Sequence, residues 1–350
     1  MIKYRIATLE DNAQLLRLTN DADMAGTIGL RTDRDPSFFN LVELRGKSKV
    51  YIAEEHKNIV GSICVTQEDV YIQKGIYPLY YISDFKVAKT HRNQGIGLQL
   101  TNEVTKYLES ENADFAFLNV AKGNKRPFVF FSERRNYPDF DTIGTFKIVQ
   151  FIGAKKKGEH KKYNIEVTTA TVEILDFLNE FYSKHELANV ISKDHLKETS
   201  IFCVRSNEAI IAVMCLLDTS NMKQHLVLKM PWYLKLFISA INTIRPLTET
   251  TKLPKQNEPI KMLYLKYLAV SSYDADLIKE LIYRAKHEVY KKTYAFVSFG
   301  LHENDPLAKY LPGFFKITFY SVGMLVSLKN SQGLMQLIKK GVPFKDFSTV

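Results

Sequence analysis

The chain has 350 residues, 45% of them hydrophobic and 25% charged, with a formal net charge of +10. This is ordinary globular composition with ample apolar content for a buried core, and the length favours two domains over one. Its three cysteines, Cys64, Cys203 and Cys215, each sit inside an apolar run, which excludes a disulfide framework and metal-ligand spacing and suits a reducing compartment.

In chain order, residues 3–7 form a short strand. Residues 11–18 place Ala13, Leu15, Leu16 and Leu18 at near-helical spacing, with Glu10 and Asp11 favouring the helix N-terminus. Residues 50–53 and 59–66 are predicted to form a hairpin across His56-Lys57-Asn58. A strand over 79–87 leads into a glycine-bearing loop. The helix at 98–108 that follows has Leu100, Val104, Tyr107 and Leu108 on one face. Residues 115–120 make another strand, and 145–151 and 163–167 are rich in β-formers.

The second half repeats this order. A helix over 172–182 has Val172, Leu175, Leu178 and Tyr182 in phase, and a hairpin joins 201–205 to 210–217 across Ser206-Asn207-Glu208. Residues 262–270 form an apolar strand. Residues 275–289 form a helix with Leu277, Ile278, Leu281, Ile282 and Ala285 clustered, and residues 294–299 a further strand. Residues 314–319 and 322–328 are predicted to close the chain as a hairpin. The common order suggests internal duplication. The apolar stretch 231–247 contains Lys235, Asn242 and Arg245, so it is not a membrane span. It is expected to pack on the protein as an amphipathic helix, and the protein is expected to have no membrane partner. The N-terminus lacks the apolar core of a signal peptide, giving an expected cytoplasmic location.

The most informative segment is Thr90-His91-Arg92-Asn93-Gln94-Gly95-Ile96-Gly97-Leu98. A strand, a glycine turn and a helix start bring backbone N–H groups together on an anion. A P-loop would need Gly-Lys-Ser/Thr, but Leu98-Gln99 follows Gly97. A dinucleotide fingerprint would need a small residue at Leu100. A plain glycine turn closing the strand–helix corner is the simpler alternative.

Arg92-Asn93-Gln94-Gly95-Ile96-Gly97 resembles the R/Q-x-x-G-x-G/A motif of the GNAT acyltransferases, and Ile2-x-x-Arg5-Ile6-Ala7-x-x-x-Asp11 resembles their first strand and helix. The resemblance covers the first 150 or so residues by motif and the remainder by element order. It implies an α/β fold of two tandem GNAT-like modules, each a mixed, mostly antiparallel sheet flanked by helices. The first module, 1–155, would hold acetyl-CoA, and the second, 162–350, would be degenerate. Its corresponding loop, Ser271-Ser272-Tyr273-Asp274-Ala275-Asp276, has no glycine and two carboxylates, so it would repel a pyrophosphate.

The implied activity is acetyl transfer from the coenzyme A thioester to a small-molecule or peptide amine, without a metal, in a monomer or homodimer. Phe85, Lys86 and Val87 would bind the coenzyme from the strand, and Arg92, Asn93, Gln94, Gly95, Ile96 and Gly97 from the loop. A backbone N–H near Val87 would polarise the thioester carbonyl. Asn124 matches a family position. Pro127 replaces the family alanine, and Phe131 stands where a tyrosine would protonate the leaving thiolate; Tyr137 is near in sequence.

Tyr81 occupies the place of the glutamate base of many relatives. Asp84 is the one carboxylate in that strand. Alternation turns it away from Tyr81, Ser83 and Phe85 unless a β-bulge intervenes. Asp84 and Tyr81 are therefore the catalytic candidates. Acceptor recognition is expected from residues 20–50, where Asp21, Asp23, Asp33 and Asp35 accompany Arg31 and Arg34. The competing reading is a coenzyme-binding pseudo-enzyme or scaffold. A longer acyl donor stays open. Nucleic acid is disfavoured, because the basic residues are dispersed apart from Lys155-Lys156-Lys157 and Lys161-Lys162.

Overall fold

The computed structural model describes residues 1–20, 29–124, 140–155, 162–311, 315–329 and 331–350. Pro127, Phe131, Tyr137, Asp21 and Asp23, singled out above, lie outside the described residues. The first part of the chain runs β1 (Ile2–Ile6), α1 (Asn12–Asn20), β2 (Gly29–Asp33), α2 (Phe38–Arg45), β3 (Lys47–Glu55), β4 (Asn58–Ile72), β5 (Gly75–Val87), α3 (Ile96–Ser110), β6 (Phe115–Ala121) and β7 (Phe140–Ile152). It continues with β8 (Ile165–Thr168), α4 (Val172–Tyr182), β9 (Thr199–Ser206), β10 (Ala209–Asp218), β11 (Gln224–Lys229), α5 (Trp232–Thr248) and β12 (Pro259–Ile260). The last elements are β13 (Met262–Val270), α6 (Ala275–Lys291), β14 (Phe296–His302), β15 (Lys316–Ser327) and α7 (Gln332–Lys340).

Twelve strands form one sheet in the order β1-β3-β4-β5-β6-β15-β7-β14-β13-β10-β9-β8. The order is nearly palindromic. One block ends in the parallel pair β5–β6 and the other in the parallel pair β13–β14; every other pairing in the sheet is antiparallel. The two blocks exchange their last strands. β15 comes from the end of the chain yet pairs with β6, and β7 comes from the first half yet pairs with β14. Strands β7 and β15 then pair with each other at the seam. A separate three-stranded sheet, β12-β11-β2, joins the two halves again.

The helical faces follow the sequence periodicity. Leu100, Val104, Tyr107 and Leu108 of α3 are buried against Tyr80, Ile82, Ala116 and Leu118. Leu277, Ile278, Leu281, Ile282 and Ala285 of α6 bury against β10, β13 and β14. Two predicted details change. In α4 the buried stripe is Ile174, Leu178, Phe181 and Tyr182, and Val172 is exposed; Thr171 caps this helix, so Val172 sits in its first turn, off the i, i+4, i+7, i+8 stripe. Residues 316–327 form one strand rather than a hairpin. Tyr320-Ser321 has no positive-φ residue to reverse the chain, and this strand has partners on both sides throughout 321–326.

On the sheet face away from α3 and α6, residues 344–350 cross the centre. Phe344 packs on Tyr182 and Tyr267, with ring centroids 4.6 and 6.1 Å away. Phe347 lies so close to Gly300 that a Cβ there would sit 2.1 Å from its ring. Lys345 Nζ donates to both carboxylate oxygens of Glu68 at 2.9 and 2.8 Å, and Lys266 pairs with Asp346 at 3.4 Å. All four side chains are buried. Removing one member of such a pair strands the other charge in a medium that solvates it poorly. Lys345→Met should therefore lower unfolding stability by about 3–5 kcal/mol, read from urea denaturation at neutral pH; a change below about 1 kcal/mol would mean water reaches Glu68.

Candidate functional site

Strands β5 and β6 pair only at Tyr80↔Ala116 and Tyr81↔Phe117. Beyond Tyr81, β5 stays paired with β4 as far as Gly61↔Val87, but among the described residues it has no further ladder partner in β6. The two parallel strands thus splay after Tyr81 and Phe117. Phe85, Lys86 and Val87 lie on this stretch of β5, with Phe85 exposed and the other two half-buried.

The loop after Val87 leads straight into α3. Arg92, Asn93 and Gln94 are exposed, while Ile96 is buried and anchors the helix start in the core. Arg92 Nε donates to Val87 O at 3.4 Å and Gln94 Nε2 to Thr90 O at 3.2 Å. Asn93 and Gly95 both adopt positive φ, +63° and +79°. Gly95 is the N-cap of α3 and supplies no side-chain cap, and the first turn of α3 carries no acidic residue. Nothing lies within 4 Å of where a Gly95 Cβ would stand. A 15-residue helix therefore starts without a side-chain cap from its N-cap residue, its positive dipole end facing a Gly95 Cβ position with no described atom within 4 Å. Thr101 Oγ1 donates to Gly97 O at 2.6 Å, fixing that first turn. Asn124 is exposed at the end of the turn after β6, its N–H bonded to Ala121 O.

Asp84 sits where β5 bulges. Ser62 pairs with Lys86 and Cys64 with Ser83, so Ile63 faces two residues, and Asp84 takes φ +53°. The bulge breaks the alternation that would turn Asp84 from Tyr81. Arg45 Nη1 donates to Ser83 Oγ at 2.8 Å and to Asp84 Oδ2 at 2.6 Å, and its guanidinium lies 5.9 Å from the Tyr81 ring centroid. Arg34 grips the same carboxylate in a two-pronged contact at 2.6 and 3.1 Å. Burial alone would raise the Asp84 pKa, but Arg34, Arg45 and Lys86 outweigh it and hold the group far below the usual carboxylate range. So held, Asp84 is a weak proton acceptor and a strong anchor for two cations. Tyr81 is buried, and that burial pushes its phenol well above its ordinary value despite Arg45; neither candidate is poised for proton transfer at neutral pH.

Lys86 is different. Burial, reinforced by Arg34 and Arg45 and opposed by Asp84, pulls its ammonium down to about 8. Two residues beyond the bulge and one before Val87, it stands beside the splayed edge. Sequence reasoning named Lys86 for coenzyme binding and passed over Lys223. It is buried, donates to Val350 O at 2.7 Å, and is pulled down to about 7 by burial, with Arg45 and Arg34 next in effect. His225 on β11 bridges Thr32 Oγ1 at 3.0 Å and Tyr264 Oη at 3.2 Å, and burial keeps it neutral. The small sheet thus delivers Arg34 and Lys223 to the bulge from opposite halves of the chain. Of the acidic residues expected there, Asp33 pairs with Arg31 at 2.6 Å and Asp35 is exposed. Among the described residues here, buried positive charge dominates.

Breaking the anchor tests its worth. Asp84→Asn should cost about 3–5 kcal/mol, since two buried guanidinium groups lose their counter-charge. Because the folded pKa is depressed, this stabilisation is present above about pH 4 and is lost as pH falls toward the folded value. Denaturation at pH 7 and pH 3 checks both: the wild-type advantage over the variant should shrink in acid.

Residues 14–134 match the model of the acetyltransferase (GNAT) family. A probable N-acetyltransferase of Arabidopsis thaliana, HLS1-like, is 26% identical over 147 residues, 36% of this chain and 34% of the relative, so the match spans about a third of that protein. The backbone is similar to a GCN5-related N-acetyltransferase from Anabaena variabilis, with a TM-score of 0.56, 9% identity and coverage of 94% of this chain and 73% of that one. It is also similar to Saccharomyces cerevisiae N-myristoyltransferase solved with bound myristoyl-CoA, with a TM-score of 0.63, 11% identity and coverage of 93% and 79%. At such identities these likenesses concern the fold. The match to the GNAT family model covers residues 14–134, and the fold of the whole chain is similar to that of GNAT N-acetyltransferases.

Proposed function

We propose that this chain is an acetyl-CoA-dependent N-acetyltransferase of the GNAT superfamily with one coenzyme site, at the splay of β5 and β6. The observation that carries the reading is the α3 N-terminus, whose N-cap Gly95 gives no side-chain cap, beside the splay of β5 from β6. Loop N–H groups from 92–97 would hold the pyrophosphate, with Arg92 adding positive charge. The β5 edge at Phe85, Lys86 and Val87 would pair with the pantetheine arm, and an N–H near Val87 would polarise the thioester carbonyl. Attack by the amine forms the C–N bond and breaks the C–S bond. The departing thiolate, with a thiol pKa of about 8.5, can take its proton from water.

The proton lost by the amine is assigned to Lys86, whose neutral form is accessible near physiological pH. Asp84 is then a positioning residue that orders Arg34 and Arg45. Arg34, Arg45, Lys86 and Lys223 lie around Asp84, with Asp346 also acting on Lys223. Their excess positive charge suits an acceptor amine that also carries a carboxylate or phosphate. The near-palindromic strand order supports two related units, 1–155 and 162–350, that have exchanged strands β7 and β15.

Gly95→Val would place a β-branched side chain at φ +79° and into the anion space. It should weaken acetyl-CoA binding about tenfold or more, measured by calorimetry, with Ser272→Val as an unaffected control. Equal affinity in both variants would sink the site. With an amine panel and an acetyl-to-myristoyl donor series, turnover should favour acetyl-CoA and anionic amines over polyamines. Tight coenzyme binding without any turnover would favour a scaffold.

The pH dependence carries a sign. A neutral lysine base makes kcat/KM rise with pH through about 8. Lys86→Met should lower kcat by about 10²–10⁴-fold and abolish that rise while leaving coenzyme affinity intact. A retained pH profile in this variant would move the base elsewhere.

A further inference from the structure

Helix α5 has 17 residues and none is buried. Its inner side is thin. Ile238 and Ile241 rest on the cluster containing Ile152, Leu253, Met262 and Phe296. Asn242 ties the helix to Leu253, accepting its N–H at 2.8 Å and donating to its carbonyl at 3.0 Å. The opposite side carries the larger apolar residues. Trp232, Leu236 and Leu247 are 73%, 63% and 83% exposed, and Tyr233, Ile244 and Phe237 are about half exposed. At 3.6 residues per turn these six residues fall within an arc of roughly 140°. An apolar stripe this wide normally faces a core; here it faces outward and continues onto exposed Phe315, whose ring centroid is 6.4 Å from that of Phe237. The expected burial of 231–247 against the protein is therefore only half realised.

The charges on the helix have one sign. Residues 232–248 contain Lys235 and Arg245 and no aspartate or glutamate, and Lys229 lies just before them. All three basic residues are exposed. The next carboxylate, Glu249, is bound to Lys155 at 2.8 Å. By the same angles Lys235 and Arg245 lie on the polar side of the helix, roughly 140° from the centre of the stripe, so a second copy meeting the stripe would leave them without an acidic partner on the helix. A surface of anionic headgroups over an apolar layer matches both features: aromatic and aliphatic side chains enter the interface while lysine and arginine meet phosphate. No described helix is long and apolar enough to cross a membrane, so the contact would be in-plane. We propose that α5 is an interfacial helix that docks this protein on anionic lipid surfaces.

Trp232 is the single tryptophan of the chain and reports on the helix directly. The full-length protein would be titrated with phosphatidylcholine vesicles with and without phosphatidylserine. Trp232 emission should shift to the blue with phosphatidylserine vesicles, weakly with pure phosphatidylcholine, and the shift should reverse at high salt. Leu236→Glu should cut vesicle partitioning by about tenfold or more with an unchanged circular dichroism spectrum. The double variant Lys235→Glu, Arg245→Glu should lose the preference for phosphatidylserine. Absence of a blue shift with either vesicle would overturn the proposal. So would a shift in the charge variant that still depends on phosphatidylserine. Sedimentation equilibrium supplies the remaining outcome: a dimer broken by Leu236→Glu, with no vesicle-induced shift, would reassign the face to a second copy.

Discussion

The Asp84 carboxylate between Arg34 and Arg45 is the constraint on which the candidate site depends. A buried carboxylate is costly unless its lone pairs are occupied, and here two guanidinium groups occupy them. The three groups come from different places: Arg34 follows β2, Arg45 ends α2, and Asp84 lies at the β5 bulge. Closing this ion cluster therefore docks the 29–45 segment onto the sheet. It also fixes the bulge, since an unsupported residue at positive φ would relax. The direction in which β5 leaves the sheet after Tyr81, and so the splay from β6, follows from that kink.

The second block repeats the device with the charge reversed. On β10, Cys215 pairs with Tyr267 and Leu216 with Leu265, leaving Lys266 as the extra residue. Lys266 is buried and pairs with Asp346. Both bulges thus hold a charge on the central face, and residues 344–350 run between them. Arg45 Nε donates to Thr349 O at 2.6 Å, Lys223 to Val350 O, and Lys345 to Glu68. One short segment consequently ties the Asp84 cluster to both blocks, which is why the stability of the fold and the geometry of the site are coupled in this molecule.

Much of this was legible as periodicity. The buried faces of α3 and α6 and the meander β3-β4-β5 follow from spacing alone, because each element buries one face against its sequence neighbours. Strand exchange was not legible. β7 and β15 read as β-forming runs whichever partner they choose, and nothing local tells residues 316–327 to pair with β6. The site was legible where backbone conformation dictates residue type, as at Gly95. It was opaque where distant charges meet. A lone lysine in the otherwise uncharged strand 262–270 was the available signal: a cation there implies a buried partner, though not that Asp346 supplies it. The outward face of α5 was hidden for the opposite reason. An amphipathic pattern shows that a helix has an apolar side, not what covers it.

The contrast between the two strand–helix corners bears on why one coenzyme site is proposed and not two. At the α6 start, Asp274 is the N-cap and accepts the Leu277 N–H at 2.9 Å, and Asp276 sits in the first turn. Lys162 lies within 3.2 Å of Asp276 and 3.8 Å of Asp274. That helix end is satisfied by its own sequence: the N–H is taken, the dipole is neutralised, and an incoming pyrophosphate would meet two carboxylates. At the α3 start the N-cap Gly95 supplies no side-chain cap, no carboxylate lies in the first turn, and Gly95 holds a positive φ with no described atom within 4 Å of where its Cβ would stand. The α3 end therefore keeps its positive dipole potential, beside the splay that would receive the rest of the coenzyme. Related folds at the two corners can differ this completely because a capping aspartate stabilises a helix by the same N–H groups that would otherwise bind phosphate.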